Sequence, residues 1–265
     1  MLITRGLVER LEAIEVEVNA RLARALATVT HDPAVAVHPL GRGVFIATGP
    51  DRYVNRAVGI TLDALGPHDV DEVVGWYSAR GLPAAVQLSP WAPALTVTSL
   101  SSRGFLPRES RSVLVRPTVD PGPVGGAQVR LVQVDDATAA DARDVMAAEA
   151  GPDRYVSDEF MAADRACEGT VQLLALLGGR PVGCGSITTV GGTAWLGAAS
   201  TVPDARRRGV QAALVAHRLD LARERGCDLV GATASAGSDS ARNLQRLGFR
   251  LVQDQWVLAR HPHVR

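Results

Sequence analysis

The two halves of this chain close in the same way, and that limits its fold more than any other feature. Residues 100–117 read LSSRGFLPRESRSVLVRP and residues 244–260 read LQRLGFRLVQDQWVLAR. Aligned without a gap, Leu100 meets Leu244, Gly104 meets Gly248 and Phe105 meets Phe249. Val113, Leu114 and Arg116 meet Val257, Leu258 and Arg260. Upstream, ARGLPAAVQLS (79–89) resembles ERGCDLVGATAS (224–235) with one residue of slippage. Each reads as a helix end, a glycine cap and a short strand. Between the halves lies PTVDPGPVGGAQ (117–128), rich in proline and glycine and shaped like a linker. The chain is therefore expected to hold two copies of one α/β module. Their limits fall at 1–118 and 128–265, with a linker at 119–127.

Hydrophobic periodicity supplies the elements. In the second half VRLVQV (129–134) alternates as a strand, 135–149 is Ala-rich and helical, and a short helix covers 156–167. VQLLALLGGRPVGCGSITTV (171–190) reads as strand, turn, strand, and GGTAWLGAAST (191–201) as a third strand, which makes an antiparallel meander. A helix follows over about 209–225, with Val210, Ala213, Leu214, His217 and Leu221 on its apolar face. His217 is read as a core histidine and Trp195 as a core side chain. A strand at 227–233, a helix at 239–247 and a strand at 250–258 complete the module. The first half opens with an amphipathic helix over about 4–28. Strands are expected at 34–38, 43–48, 84–89 and 111–116, and helices near 69–80 and 92–103.

PDARRRGVQAAL (203–214) asks for a chemical explanation. Arg206, Arg207 and Arg208 stand where the helix macrodipole is already positive, so they do not serve helix stability. A helix start offers amides without intrahelical acceptors. With a glycine to admit the backbone and arginines to add charge, it makes an anion site. The whole chain is neutral, with 28 basic and 28 acidic residues, and every basic residue is arginine. Zero net charge and 4% aromatic content argue against a nucleic-acid binder. Cys167, Cys184 and Cys227 are widely spaced, and neither they nor the histidines show metal-ligand spacing, so no metal is expected. The N-terminus is too charged for a signal-peptide core, and no apolar run suits a membrane span. A cytoplasmic protein with no membrane partner is the expectation.

The order of meander, Arg-Gly turn, long helix, strand, short helix, LGF and last strand resembles the GNAT superfamily of acyl-CoA-dependent N-acyltransferases. Its Q/R-x-x-G-x-G/A signature is matched by RRRGVQ (206–211) at Arg206 and Gly209, with Gln211 where a small residue is usual. TVPDA (201–205) and LGF (247–249) match flanking family features. The resemblance covers about 129–260, and the first half resembles a degenerate second copy. It implies an α+β fold (an α/β sandwich) of two GNAT-like modules, each a central mixed, mostly antiparallel sheet flanked by helices. It implies acetyl-CoA as co-substrate and transfer of the acetyl group to an amine of a small molecule or peptide by direct attack. Backbone of Ala199, Ser200 and Thr201 would hold the pantetheine arm. Arg206, Arg207, Arg208, Gly209, Val210, Gln211 and Ala212 would hold the pyrophosphate, with the Gln211 side chain turned away. The first module has no such loop in NRAVGITLDALGPHD, so one cofactor site per chain is expected.

Catalysis is less legible. The resemblance implies a tyrosine four residues before the glycine of LGF, but Leu244 stands there, and the carboxylate often found on the fifth strand is missing from DLVGATAS (228–235). The catalytic residues are left unknown, with Glu149, Ser238 and Asn243 as candidates; Ser238 also reads as a helix cap. The alternative to an enzyme is a non-catalytic protein that binds or senses acyl-CoA. Oligomeric state is left open, a homodimer among the alternatives.

Overall fold

A computed structural model describes residues 2–50, 52, 54–120, 128–150 and 158–260. Most of the 119–127 linker therefore lies outside the described residues. The elements are α1 Arg5–Thr30, β1 Ala36–Leu40, β2 Gly43–Ala47, β3 Arg56–Val58, α2 Pro67–Ser78, β4 Ala85–Leu88, α3 Ala94–Ser101 and β5 Phe105–Pro117. The second half follows with β6 Val129–Gln133, α4 Ala139–Ala150, α5 Asp158–Ala166, β7 Thr170–Leu177, β8 Arg180–Val190 and β9 Thr193–Thr201. Then come a 3-10 turn Pro203–Ala205, α6 Val210–Glu224, β10 Leu229–Ser235, α7 Asp239–Arg246 and β11 Arg250–Arg260. From β1 and from β7 onward the order is the same: three strands, a helix, a strand, a helix and a long strand. The fold is mixed α/β, with helices on the faces of mostly antiparallel sheet. Among the described residues no helix is long and apolar enough to cross a membrane.

Contacts divide the chain into two compact units that do not follow the order of the halves. Unit 1 holds Met1–Leu114, Thr233–Arg242 and Leu251–Arg265, and unit 2 holds Val115–Ala232 and Asn243–Arg250. The last strand of the second half, β11, thus belongs to unit 1.

In unit 1 the strand order is β1-β2-β3-β4-β11-β5. β1, β2 and β3 form an antiparallel meander, β3 meets β4 in parallel, and β11 runs antiparallel to β4. The parallel step needs a crossover, which α2 supplies. Strand alternation sends Val44 and Ile46 to the α1 face, with Val58 and Ala23, and sends Phe45 and Ala47 to the opposite face, with Val70, Val73 and Tyr77 of α2. The Tyr77 hydroxyl, fully buried, accepts from Ile46 N–H and donates to Ile46 C=O, both at 3.1 Å. The three-residue β3 is too short to show a period, and the sequence reading did not place it.

In unit 2 the order is β10-β9-β8-β7-β6. β6 to β9 are antiparallel and β10 joins β9 in parallel. One face carries α4 and α5, packed through Ala142, Val145, Met161, Leu174 and Cys184. The other carries α6, which comes so close to β8 that a Cβ on Gly183 would lie 2.5 Å from Val210 Cγ1. The buried face of α6 is Val210, Ala213, Leu214, Val215, Arg218, Leu219 and Ala222. His217 is exposed, which corrects its reading as a core histidine: Arg218 takes the inward position that the i, i+3, i+4, i+7 pattern gave to His217. Trp195 is buried at 5% exposure in β9.

Candidate functional site

The site is built on β9 and the turn that follows it. β9 loses register with β8 between Cys184 and Ser186, which pair with Ser200 and Gly197. Ala198 sits in this bulge with φ +42°. A bulge re-aims the backbone and often marks a working site. On the other side the parallel register with β10 runs from Thr193 to Leu196. Beyond that register lie Ala199, Ser200 and Thr201. The Ser200 hydroxyl is spent on Val145 C=O at 3.0 Å, which ties β9 to α4. That leaves the backbone of Ala199 and Ser200, and Thr201, to meet a ligand.

The turn reverses backbone hand as it enters α6. Buried Ala205 anchors the 3-10 turn, and Arg206 has φ −61° and ψ 154°. Arg207 follows at φ +61° and Gly209 at φ +80°. Alternating hand aims successive N–H groups into one concavity, an anion-binding nest. A non-glycine residue in the left-handed region costs about 1 kcal/mol, so Arg207 stores strain where the nest forms. Gly209 is the N-cap of α6 and has no side chain to cap with; the first helical bond is Ala213 N–H to Gly209 C=O at 2.9 Å. The amides of Val210, Gln211 and Ala212 therefore have no intrahelical acceptor. The first turn carries no acidic residue. The one carboxylate in the approach, Asp204, is paired with Arg180 at 2.8 Å. Arg206, Arg207 and Arg208 are exposed.

Gln211, the large residue in the signature, faces away from the concavity. Its Oε1 accepts from Asn243 Nδ2 at 3.0 Å, and Asn243 Oδ1 accepts from Arg246 at 2.9 Å. Both polar ends of Asn243 are thus engaged, Nδ2 in holding α7 to α6 and Oδ1 within α7. Ser238 caps α7, accepting from Ala241 N–H at 3.2 Å. Glu149 falls in the last turn of α4, and its side chain lies outside the described residues. Leu244 is a buried apolar side chain.

The equivalent helix start in unit 1 is closed to anions. α2 begins at Pro67, which has no N–H, and its N-cap Gly66 donates to Asp69 Oδ2 at 2.7 Å. An internal carboxylate already occupies that pole.

Sequence reasoning missed a buried polar core beneath the β9 bulge. Asp164 on α5 accepts from Gln172 Nε2 at 2.9 Å and from Ser186 Oγ at 3.2 Å. Burial pushes its carboxyl up to about 6, against these two hydrogen bonds that lower it. Ser186 pairs with Gly197 at the bulge, where a Cβ would come 3.0 Å from the serine Oγ. From the other face Arg218 donates Nη1 to Ser186 C=O at 3.1 Å and Nε to Leu214 C=O at 3.0 Å. Desolvation lowers its guanidinium to about 10. Gly185 makes room, since a Cβ there would also meet Arg218 at 3.0 Å. The only signal in the sequence is a pair of glycines flanking Cys184, at 183 and 185, in a strand that should prefer side chains. Among the described residues no group of three or more His, Cys, Asp or Glu could hold a metal ion.

Residues 138–249 match the family model of the acetyltransferase (GNAT) family. No curated protein matches the chain. Among solved structures it is similar to a GCN5-related N-acetyltransferase from Kribbella flavida, with 20% identity, a TM-score of 0.67, and 93% of this chain and 96% of that chain covered. It is similar to a GCN5-related N-acetyltransferase from Sphaerobacter thermophilus, with 17% identity, a TM-score of 0.60, and coverage of 77% and 71%. It is also similar to a tandem GNAT protein from the clavulanic acid biosynthesis pathway, with 15% identity, a TM-score of 0.59, and coverage of 94% and 95%.

Proposed function

With residues 138–249 as a GNAT acetyltransferase domain in a chain of GNAT fold, we propose that the protein is an acyl-CoA-dependent N-acetyltransferase. It moves the acetyl group of acetyl-CoA to an amine of a small molecule or peptide by direct attack. The nest formed by Arg207 and Gly209 at the uncapped start of α6 carries this reading. Its amides, the helix pole and the three exposed arginines suit the pyrophosphate and the nucleotide phosphate. Backbone groups of Ala199 to Thr201 would hold the pantetheine arm. The α2 start, filled by Asp69, favours one such site per chain. The odd number and wide spacing of Cys167, Cys184 and Cys227 in the sequence suit a reducing compartment, and we place the protein in the cytoplasm.

When bound, the thioester supplies the acyl group and leaves as a thiol. The chain must take a proton from the acceptor ammonium so that the neutral amine can attack. Asp164 suits that task, acting through Ser186: the serine Oγ passes its proton to Asp164 Oδ1 and accepts one from the amine side. A carboxyl near 6 is a better proton acceptor at neutral pH than an ordinary aspartate.

The test is thiol release from acetyl-CoA with a broad panel of amines. Turnover that the Arg207→Glu variant loses supports the reading. Tight acetyl-CoA binding with no turnover across the panel supports the second reading, an acyl-CoA sensor. That reading is favoured by Leu244, an apolar side chain where the family resemblance asks for a proton donor.

A further inference from the structure

Strand β8 is held from both faces of the unit 2 sheet at one residue, Ser186. On the α5 face its Oγ donates to Asp164 Oδ1 at 3.2 Å. On the α6 face its C=O accepts from Arg218 Nη1 at 3.1 Å. The same guanidinium donates Nε to Leu214 C=O, one turn back in its own helix, at 3.0 Å. Arg218 therefore ties α6 to β8 at the residue that meets Asp164. The neighbours of Ser186 along the strand serve the same arrangement. A Cβ on Gly185 would lie 3.0 Å from Arg218 Nη1 and 3.1 Å from Cζ, so the guanidinium rests against bare backbone. Cys184 packs on the α4 and α5 face, and its Sγ donates to Ala198 C=O in the β9 bulge at 3.6 Å.

Helix packing alone does not call for an arginine here. Arg218 is 1% exposed, and among the described residues it is the largest fully buried side chain. Both of its acceptors are neutral carbonyls, and among the described residues no carboxylate pairs with it. Cys184 is the titratable group that acts on it. A charge buried without a counter-charge is unfavourable, and an unbranched apolar side chain of similar length would fill the space without that penalty. What an apolar side chain could not do is hold the Ser186 carbonyl. Besides burial, the groups that act on the Asp164 carboxyl are Gln172 and Ser186, both neutral. Arg218 is not among them, so its influence on Asp164 passes through Ser186.

We propose that Arg218 is a positioning residue: by fixing the Ser186 peptide from the α6 face, it sets the Ser186 hydroxyl against Asp164 on the other. Its bearing on turnover rests on the acetyltransferase reading, in which Asp164 takes the amine proton through Ser186. Its bearing on Asp164 does not. A serine hydroxyl reaches its acceptor only when the backbone that carries it is held, and the adjacent Gly185 leaves this stretch of β8 without a side chain to hold it. Without the guanidinium the strand relaxes toward the space left behind, and Oγ draws away from Oδ1. A carboxylate that loses a hydrogen-bond donor is harder to ionise, so the Asp164 midpoint moves up.

Carboxyl carbon-13 NMR of the whole chain, labelled at aspartate, tests this, with Asp164→Asn assigning the resonance. Ser186→Ala should raise the Asp164 midpoint by about one pH unit, and Arg218→Met should raise it by a similar amount. In the Ser186→Ala background, Arg218→Met should add little, because both act on one hydrogen bond. Gly185→Ala keeps the charge but crowds the guanidinium; it should raise the midpoint too, and it decides the matter if Arg218→Met does not fold. Under the acetyltransferase reading, Arg218→Met should lower kcat roughly tenfold and move the acid limb of the pH–rate profile upward with Asp164, while KM for acetyl-CoA holds within about threefold. A midpoint that neither Arg218→Met nor Gly185→Ala moves in the folded protein overturns the proposal. So does a shift of undiminished size in the Ser186→Ala background, which would mark direct action of the charge. Absence of turnover in the wild type would contradict the acetyltransferase reading, and the midpoint comparison would still decide the role of Arg218.

Discussion

Asn243 of α7 donates to Gln211 of α6 at 3.0 Å, and this contact ties the Gln211 side chain to α7 rather than to the turn at Arg207 and Gly209. Backbone amides do the binding in such a nest, so the side chain at 211 is free to serve another purpose. Gln211→Ala should leave acetyl-CoA affinity within about threefold of wild type. Loss of one part-buried hydrogen bond should cost about 1 kcal/mol of stability. Calorimetric titration and urea unfolding check the two halves of that statement.

Gly183 sets how closely α6 approaches β8. A Cβ there would lie 2.5 Å from Val210 Cγ1, nearer than packed atoms stand. Gly183→Ala should therefore push the first turn of α6 outward. Overpacking of this kind costs about 1–3 kcal/mol. Because Val210 is the first residue of the helix, acetyl-CoA affinity should fall about tenfold with it. Equal affinity for Gly183→Ala would mean the helix start is not the phosphate site.

Asp164 and pH are linked with a definite sign. Its folded carboxyl is raised to about 6 from an ordinary 3.8. The stability it contributes is thus full below about 3.8 and is lost as pH rises through about 6. Glu12, raised from 4.5 to about 7, adds a second loss of the same sign. Asp164→Asn should flatten the fall in stability between pH 4 and pH 6 by about 2 kcal/mol, without abolishing it. If Asp164 takes the proton through Ser186, kcat should drop at least tenfold in the same variant while KM changes little. The wild-type limb near pH 6 in kcat/KM should also disappear. Urea melts and pH–rate profiles on wild type and variant read both effects.

Tyr77 holds α2 to the centre of β2 through both backbone groups of Ile46. Tyr77→Phe removes both of these bonds from an apolar core, at a cost of about 1–3 kcal/mol. Burial pushes the Tyr77 hydroxyl well above the ordinary tyrosine range, against the bond to Ile46 that lowers it, so no phenolate absorbance should develop until the protein unfolds. A spectrophotometric titration with parallel circular dichroism shows which comes first.

Much of the fold could be read from residues that report on local geometry. The paired Gly104-Phe105 and Gly248-Phe249 mark the same helix-to-strand junction in each half, and the Arg-Gly turn announces a helix start. Those features depend on neighbours in sequence. What could not be read depends on partners far apart in the chain. β11 lies in unit 1 beside β4, with Trp256 in register with Leu88 although far from it in sequence, and no local pattern states that choice. Asp164 looks like one more surface acid in MAADRACEG until Gln172 and Ser186 are seen to cover it. His217 and Arg218 show the same limit: both fit a helical stripe within one position, and the gap left by Gly185 decides that arginine goes in. The turn at 206–212 can be read as a candidate anion site from sequence because its chemistry lies within seven successive residues.

The most direct test is calorimetric titration of acetyl-CoA into wild type and into Gly209→Glu, with melting curves to establish that both are folded. The account predicts one site per chain in the wild type and none in the variant, because a carboxylate at position 209 would occupy the helix pole as Asp69 occupies that of α2. Two sites per chain, no binding to the folded wild type, or undiminished binding to the folded variant would contradict it.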